Sequence, residues 1–358
     1  MCQHVDRLPD VLPVSYRVVA SVTMHRDLCH GIDIIYTSRV GVGGIPMKLA
    51  MVGIGDIARK AYLPTMLSRQ DIDLYLVTRN QTVLDEVGRA HGIVASHRLK
   101  SVRQLLGQKI DAALVHAATD AHDEIVRELL RAGVHVYVDK PLDYSYDKSR
   151  EMVALARCQK RILMVGFNRR YAPLYQEARE DLTNPAMVLM QKNRANSPQS
   201  VREAIFDDFI HVVDTIRSFL PSPVQRICVQ GRQRRGALTQ VAVHMIGLNY
   251  TAMGVMNRIN GADEEVLDVM GDGLKWSIRE MRDGVRFEKQ KKCEISVDAW
   301  STVEKVKGFS GIVDEFLALV GANDLTKAEK LADDALETHR LCEDIVRALQ
   351  DQPEGVPS

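Results

Sequence analysis

The chain has 358 residues, long enough for two domains rather than one. Lys plus Arg and Asp plus Glu number 47 each, so the formal charge is zero, which argues against a nucleic-acid or membrane-surface protein. No apolar run reaches membrane-spanning length, and the six cysteines form neither a CxxC pair nor a metal-ligand spacing. These features point to a reducing, cytoplasmic setting and to no bound metal.

Residues 1–46 show no clear periodicity and lack the basic-then-apolar layout of a signal peptide. Gly41-Val42-Gly43-Gly44-Ile45-Pro46 reads as a linker. The folded protein is therefore expected from Met47, after a poorly ordered extension over 1–46; a docking arm is the competing reading. From Met47 short strands alternate with helices. The first strand is 48–52, and the helix over 57–69 should be bent or shortened by Pro64. Next come a strand at 74–78 and an amphipathic helix at 82–91, stopped by Gly92. A short strand at 93–95 precedes a helix opened by Ser101. Strand 112–116, helix 122–132, strand 134–138, helix 145–159 and strand 162–165 complete the series. Such alternation implies an α/β, Rossmann-type domain over 47–167, with a parallel sheet and right-handed crossovers.

After Phe167 the rhythm changes. Longer β-like stretches lie at 186–192, 224–230, 238–244 and 265–269, with helices near 207–219 and 311–320. They predict a second, α+β domain over 168–325 on a mainly antiparallel sheet. Thr326-x-x-Glu329 reads as a capping box opening a last helix, 326–350, that packs back on the chain. Leu331, Ala335, Cys342, Ile345, Val346 and Leu349 form its apolar stripe.

The candidate chemistry begins at Gly53-Ile54-Gly55-Asp56-Ile57-Ala58, which closes the first strand and opens the first helix. The first glycine permits the tight turn, the second lets backbone approach a pyrophosphate, and the small third residue lets helix and strand pack closely. The second strand ends in Thr78-Arg79-Asn80, without the carboxylate that would bind a ribose 2′-hydroxyl. A hydroxyl and a guanidinium suit a 2′-phosphate instead, so NADP is expected over NAD, which stays possible. Ala117, Ala118, Thr119 and His122 follow the fourth strand and should border the nicotinamide ribose. Val138-Asp139-Lys140-Pro141-Leu142 places a lysine at the carboxyl end of a strand, where α/β folds bind ligands. Gly166-Phe167-Asn168-Arg169-Arg170-Tyr171 follows the next strand, and Asp207, His211 and Asp214 share a helical spacing.

With these four segments in this order, the chain resembles the Gfo/Idh/MocA oxidoreductases over roughly 48–349, and within them the bacterial MviM-type (virulence-factor-like) branch. The family's marks are GxGxx(G/A), (E/D)KP, a G-(F/Y)-N-x-R-type segment and D-x-x-x-H. Asp139 stands for the commoner glutamate and Ala58 for glycine. The resemblance implies a Rossmann domain, a second domain with a large open sheet, and homodimers or homotetramers assembled through that sheet. It implies hydride transfer between nicotinamide and a sugar, polyol or related small-molecule substrate in the cleft. Lys140 would hydrogen-bond the substrate oxygen, and His211 would be the general acid/base because imidazole titrates near neutral pH. Asp207 would orient that ring or bind a substrate hydroxyl, a role Asp208 could share. Lys140 as the proton-transfer group stays open. Asp139 and Asn168 would lie near cofactor or substrate. Arg169 and Arg170 either bind an anionic substrate or make structural ion pairs. The alternative to an enzyme is an NADP(H)-binding regulatory or partner protein without turnover.

Overall fold

The structure, a computed structural model, describes residues 46–352. Apart from Pro46, the expected extension over 1–46 lies outside the described residues. The first sheet holds β1 (Met47–Val52), β2 (Ile72–Val77), β3 (Arg98–Leu99), β4 (Ala112–Val115), β5 (His135–Val138) and β6 (Leu163–Val165), all paired in parallel. The strand order is β3-β2-β1-β4-β5-β6, so the winding reverses between β1 and β4 and opens a crevice at their carboxyl ends. Every residue of β4 is buried, as expected of a parallel strand with helices on both faces.

The helix after β1 begins as a π turn over Ala58–Tyr62 and continues as α1 (Leu63–Leu67). Pro64 has no N–H for the i→i−4 ladder, and the wider turn lies just where that bond is missing. Then follow α2 (Gln81–Ala90), α3 (Val102–Leu106), α4 (His122–Arg131) and α5 (Tyr146–Cys158). The strand expected at 93–95 is not formed. Ala95–His97 is a 3₁₀ turn, and β3 comes three residues later, after Arg98 Nε folds back onto the Ile93 carbonyl at 2.7 Å.

The second sheet has nine strands. They are β7 (Met187–Asn193), β8 (Gln199–Ser200), β9 (Arg226–Arg234), β10 (Ala237–Ile246), β11 (Thr251–Asn257), β12 (Glu264–Gly271), β13 (Leu274–Arg279), β14 (Asp283–Glu288) and β15 (Lys291–Ser296). All ladders are antiparallel except β7 with β11. Helices α6 (Pro173–Asp181), α7 (Val201–Glu203) and α8 (Ile210–Phe219) belong to this half. Gly254 lets α8 approach β11 closely; a Cβ there would lie 2.6 Å from Val212. The opposite face of the sheet leaves Met187 and Met253 exposed.

Two further helices, α9 (Val303–Val306) and α10 (Phe309–Ala322), return to the first sheet. Ile312, Val313 and Phe316 join Leu49, Met51 and Leu114 in one apolar cluster. The last helix, α11 (Leu325–Gln350), starts one residue before the expected box. Its cap is Asp324, whose Oδ1 accepts from Lys327 N at 2.9 Å, not Thr326. The expected stripe is buried, with Leu331 partly so. No helix among the described residues is long and apolar enough to cross a membrane.

Candidate active site

The glycine turn sits in the crevice. Gly53 has φ +89°, and a Cβ on it would lie 2.6 Å from Ala117 N, so the loop after β4 closes down on a position only glycine can fill. A Cβ at Gly55 meets nothing within 4 Å, which leaves open space on the side where a ligand would approach. Ala58 is fully buried against the sheet. The Ile54 side chain is buried, so only its backbone faces the crevice, while Asp56 and Ile57 are exposed; Asp56 pairs with Lys60 at 2.9 Å. The helix start leaves N–H groups without intrahelical partners. Thr78 Oγ1 accepts from Asn80 N at 3.4 Å. Asn80 caps α2, its Oδ1 accepting from Val83 N, so its side-chain oxygen is committed to the helix rather than to a ligand. Arg79 is exposed and has no partner among the described residues. Ala117, Ala118 and Thr119 line the loop opposite the turn. Turn, open side, free N–H groups and unpaired cation together fit a dinucleotide.

At the end of β5, Lys140 Nζ donates to the Asp207 carbonyl oxygen at 2.7 Å. Burial lowers its pKa, opposed by the carboxylates of Asp207, Asp139 and Asp208. The Lys140–Pro141 peptide is cis. Asp139 accepts from Tyr62 Oη at 2.7 Å and from His116 Nδ1 at 2.8 Å. Burial works to raise its pKa, but the His116 ring and the Tyr62 hydroxyl hold it below the usual range. A carboxylate only accepts, so His116 carries its proton on Nδ1 and Tyr137 donates to Tyr62. Asp139 is thus a fixed negative charge beside Lys140, tied into the core.

The D-x-x-x-H segment is not a regular α-helix. It runs as a π turn over Ala204–Phe209 before α8, and a π turn is wider than 3.6 residues. The Asp207 carboxylate does not hold the His211 ring; both its oxygens accept from Tyr144 Oη at 3.0 Å. Burial raises the Asp207 pKa against the pull of Lys140. Burial and the cations Arg169, Lys140, Lys192 and Arg194 hold His211 well below the usual histidine value. It is a neutral imidazole, rather than one titrating near neutral pH.

Comparison with known proteins places these features. Residues 47–167 match the model of an oxidoreductase family with an NAD-binding Rossmann fold, GFO_IDH_MocA, and residues 173–290 match the YceM-like C-terminal domain. YceM of Salmonella typhimurium, provisionally named an oxidoreductase, is 31% identical over 310 residues, covering 84% of this chain and 97% of its own. The chain belongs to the Gfo/Idh/MocA family of oxidoreductases. A Clostridium difficile dehydrogenase named MviM superposes with a TM-score of 0.78 at 27% identity, over 84% of this chain and 99% of its own. The D-glucoside 3-dehydrogenase of Escherichia coli is 28% identical over 144 residues, 39% of this chain and 40% of its own. The chain is thus an oxidoreductase of the dehydrogenase kind.

In this Gfo/Idh/MocA chain several expected ligand contacts are committed to the protein instead. Arg169 is buried and grips both oxygens of Glu265, at 2.8 and 2.7 Å. Arg170 grips Asp214 at 2.9 and 2.5 Å and also meets Asp334. Both make structural pairs because their guanidinium forks find carboxylates at bidentate geometry. Asp208 is bridged by Arg194 and Arg258, each at 2.7 Å; against burial, they hold it far below the carboxylate range. His122 is 1% exposed, with Nδ1 and Nε2 each 3.0 Å from the carbonyls of Pro141 and Ala117. Burial lowers its pKa, and the neutral ring donates to one of the two; it sits between two cleft loops rather than lining the cleft. Asn168 is buried and donates to the Lys307 carbonyl at 2.8 Å.

Lys192, unremarked in the sequence, is buried beside Glu265 at 3.2 Å. Burial and the nearby Arg169 push its pKa down to about 8. Its signal was strand parity, since it falls on the inward face with Val188 and Met190.

Proposed function

We propose that the chain is an NADP-preferring dehydrogenase or reductase, with NAD possible, acting on a sugar, polyol or related hydroxyl or carbonyl compound. One observation carries the reading: Lys140, at the carboxyl end of β5, directs its amine onto the π turn that also leads to the neutral His211. When bound, the nicotinamide supplies the hydride acceptor or donor. Lys140 donates a hydrogen bond to the reacting oxygen and stabilises the alkoxide. Neutral His211 takes the hydroxyl proton during oxidation and returns it during reduction. The cations that depress His211 also favour the alkoxide, which limits the uphill cost of that transfer. The Asp207 carboxylate is held by the Tyr144 hydroxyl. Arg79, exposed just after β2 and without a partner among the described residues, would meet a 2′-phosphate.

On this reading residues 47–167 bind the cofactor, 168–325 supply the substrate wall apart from α9 and α10, which pack on the first sheet, and the helix over 326–350 folds back to join them. The exposed methionines on the open sheet face support a homodimer or homotetramer through that face, which sedimentation would detect. Cys158, Cys228, Cys293 and Cys342 are free thiols, in keeping with a cytoplasmic protein. The test is a panel of sugars, polyols and their ketones with NADP(H) and NAD(H). Turnover by the parent that is lost in Lys140→Met supports the reading. Bound NADPH that no panel member oxidises overturns it.

A further inference from the structure

Lys140 lies on a loop, and a loop keeps its geometry only where something fixes its backbone. The Pro141–Leu142 peptide, which follows Lys140, meets a histidine at each of its polar groups. The Pro141 carbonyl faces the His122 ring at 3.0 Å. The Leu142 N–H donates to Nε2 of His339 at 2.9 Å, a contact from α11, 197 residues further along the chain. His339 is 0% exposed. Its Nδ1–H donates to the Ala335 carbonyl at 2.8 Å, one turn earlier in the helix. That bond fixes the tautomer, so Nε2 presents its lone pair to Leu142. The ring also packs against Phe167, at 5.9 Å between centroids, and Phe206, at 6.2 Å. Phe167 precedes Asn168, and Phe206 precedes Asp207. One imidazole therefore touches the three segments that carry Lys140, Asn168 and Asp207.

We propose that His339 is a positioning residue: a neutral acceptor on α11 that fixes the backbone after Lys140 and so keeps its amine at the Asp207 carbonyl. The proposal rests on the reading of Lys140 as the substrate-facing amine. An apolar side chain of similar size would fill the space but leave the Leu142 N–H unpaired in the core. A charged imidazolium would present a second donor to it. Burial pushes the His339 pKa down to about 4, so the acceptor form persists through the neutral range.

The test compares His339→Leu, which removes the acceptor, with His339→Gln, which keeps one. Folding is read by circular dichroism, NADPH binding by fluorescence, turnover across pH, and backbone order by hydrogen exchange over residues 139–144. His339→Leu should bind NADPH as the parent does yet lose about 10- to 100-fold in kcat, with little change in cofactor KM. Its pH profile should shift as the Lys140 surroundings change, and exchange over 139–144 should accelerate. His339→Gln should recover most of each. A folded His339→Leu enzyme with parental kcat, pH profile and exchange overturns the proposal. If His339→Leu does not fold, a folded His339→Gln protein decides: parental values support it, and fast exchange with low kcat overturns it. If the parent turns over nothing, the function reading fails separately, and exchange over 139–144 still judges the brace.

Discussion

Two basic pieces of chain follow neighbouring strands of the first sheet, and they behave differently. After β5, Lys140 spends its amine on a single carbonyl, leaving two N–H bonds for something else. After β6, Arg169 and Arg170 spend their forks on Glu265 and Asp214 in buried pairs. Position at the carboxyl end of a strand is thus not enough to mark a ligand group. What separates site from scaffold is whether the charge already has its partner.

The strongest challenge to that contrast is Lys140→Met. It should cost about 100- to 1,000-fold in kcat, as expected for losing a preorganised donor, while melting and dinucleotide binding stay parental. Arg169→Met should do the reverse. It leaves Glu265 buried with only Lys192 and Tyr175, so stability in urea should fall by about 3–5 kcal/mol, while kcat per folded molecule changes far less than in Lys140→Met, through the loss of one cation near His211. An Arg169→Met enzyme of normal stability but lost turnover would move that arginine into the site.

Glu265 gives the same contrast a pH signature. Burial works to raise its pKa, but Arg169 and Lys192 hold it down at about 2. A depressed carboxylate stabilises the fold above its ordinary range, and that gain is lost as pH falls from about 4.5 through 2. The loss should approach about 3 kcal/mol, at roughly 1.4 kcal/mol per unit, in acid-titrated unfolding, and should shrink in Arg169→Met. Next in size is Arg79→Ala, which should raise the KM for NADPH about tenfold and leave that for NADH unchanged, the equivalent of one charged hydrogen bond. The smallest is at the last helix. Asp324→Ala should cost about 1 kcal/mol and Thr326→Ala only a few tenths, because only the aspartate makes the capping bond.

The first half of the fold was legible because its strands are short apolar runs punctuated by Gly53, Gly92 and Gly133. β3 was misplaced because two residues are too few to show a period. β15 went unread because its charges fall on both faces, as in Lys291 and Lys292, and the alternation has no contrast. β13 does alternate, with Leu274, Trp276 and Ile278 on one face and Lys275, Ser277 and Arg279 on the other, so its period was there to be read. β11 was hidden by Gly254, whose value lies in the helix it admits. Of the site, the turn, Arg79, Lys140 and His211 were visible as residue types in order. The π turn was not, since one extra residue in a turn leaves the apolar pattern almost intact. What keeps Asp207 from the His211 ring is Tyr144, whose hydroxyl takes both carboxylate oxygens. The partners of Arg169 and Asp208 were also out of reach, because Glu265 on β12 and Arg258 just after β11 lie 96 and 50 residues further along the chain.

The bond between Leu142 and His339 also has a meaning in the order of synthesis. The Rossmann half leaves the ribosome with Lys140 already made, but the imidazole that accepts from the Leu142 N–H arrives 197 residues later. A growing chain can therefore assemble the parallel sheet long before its lysine loop is finished. The enzyme is completed from its tail.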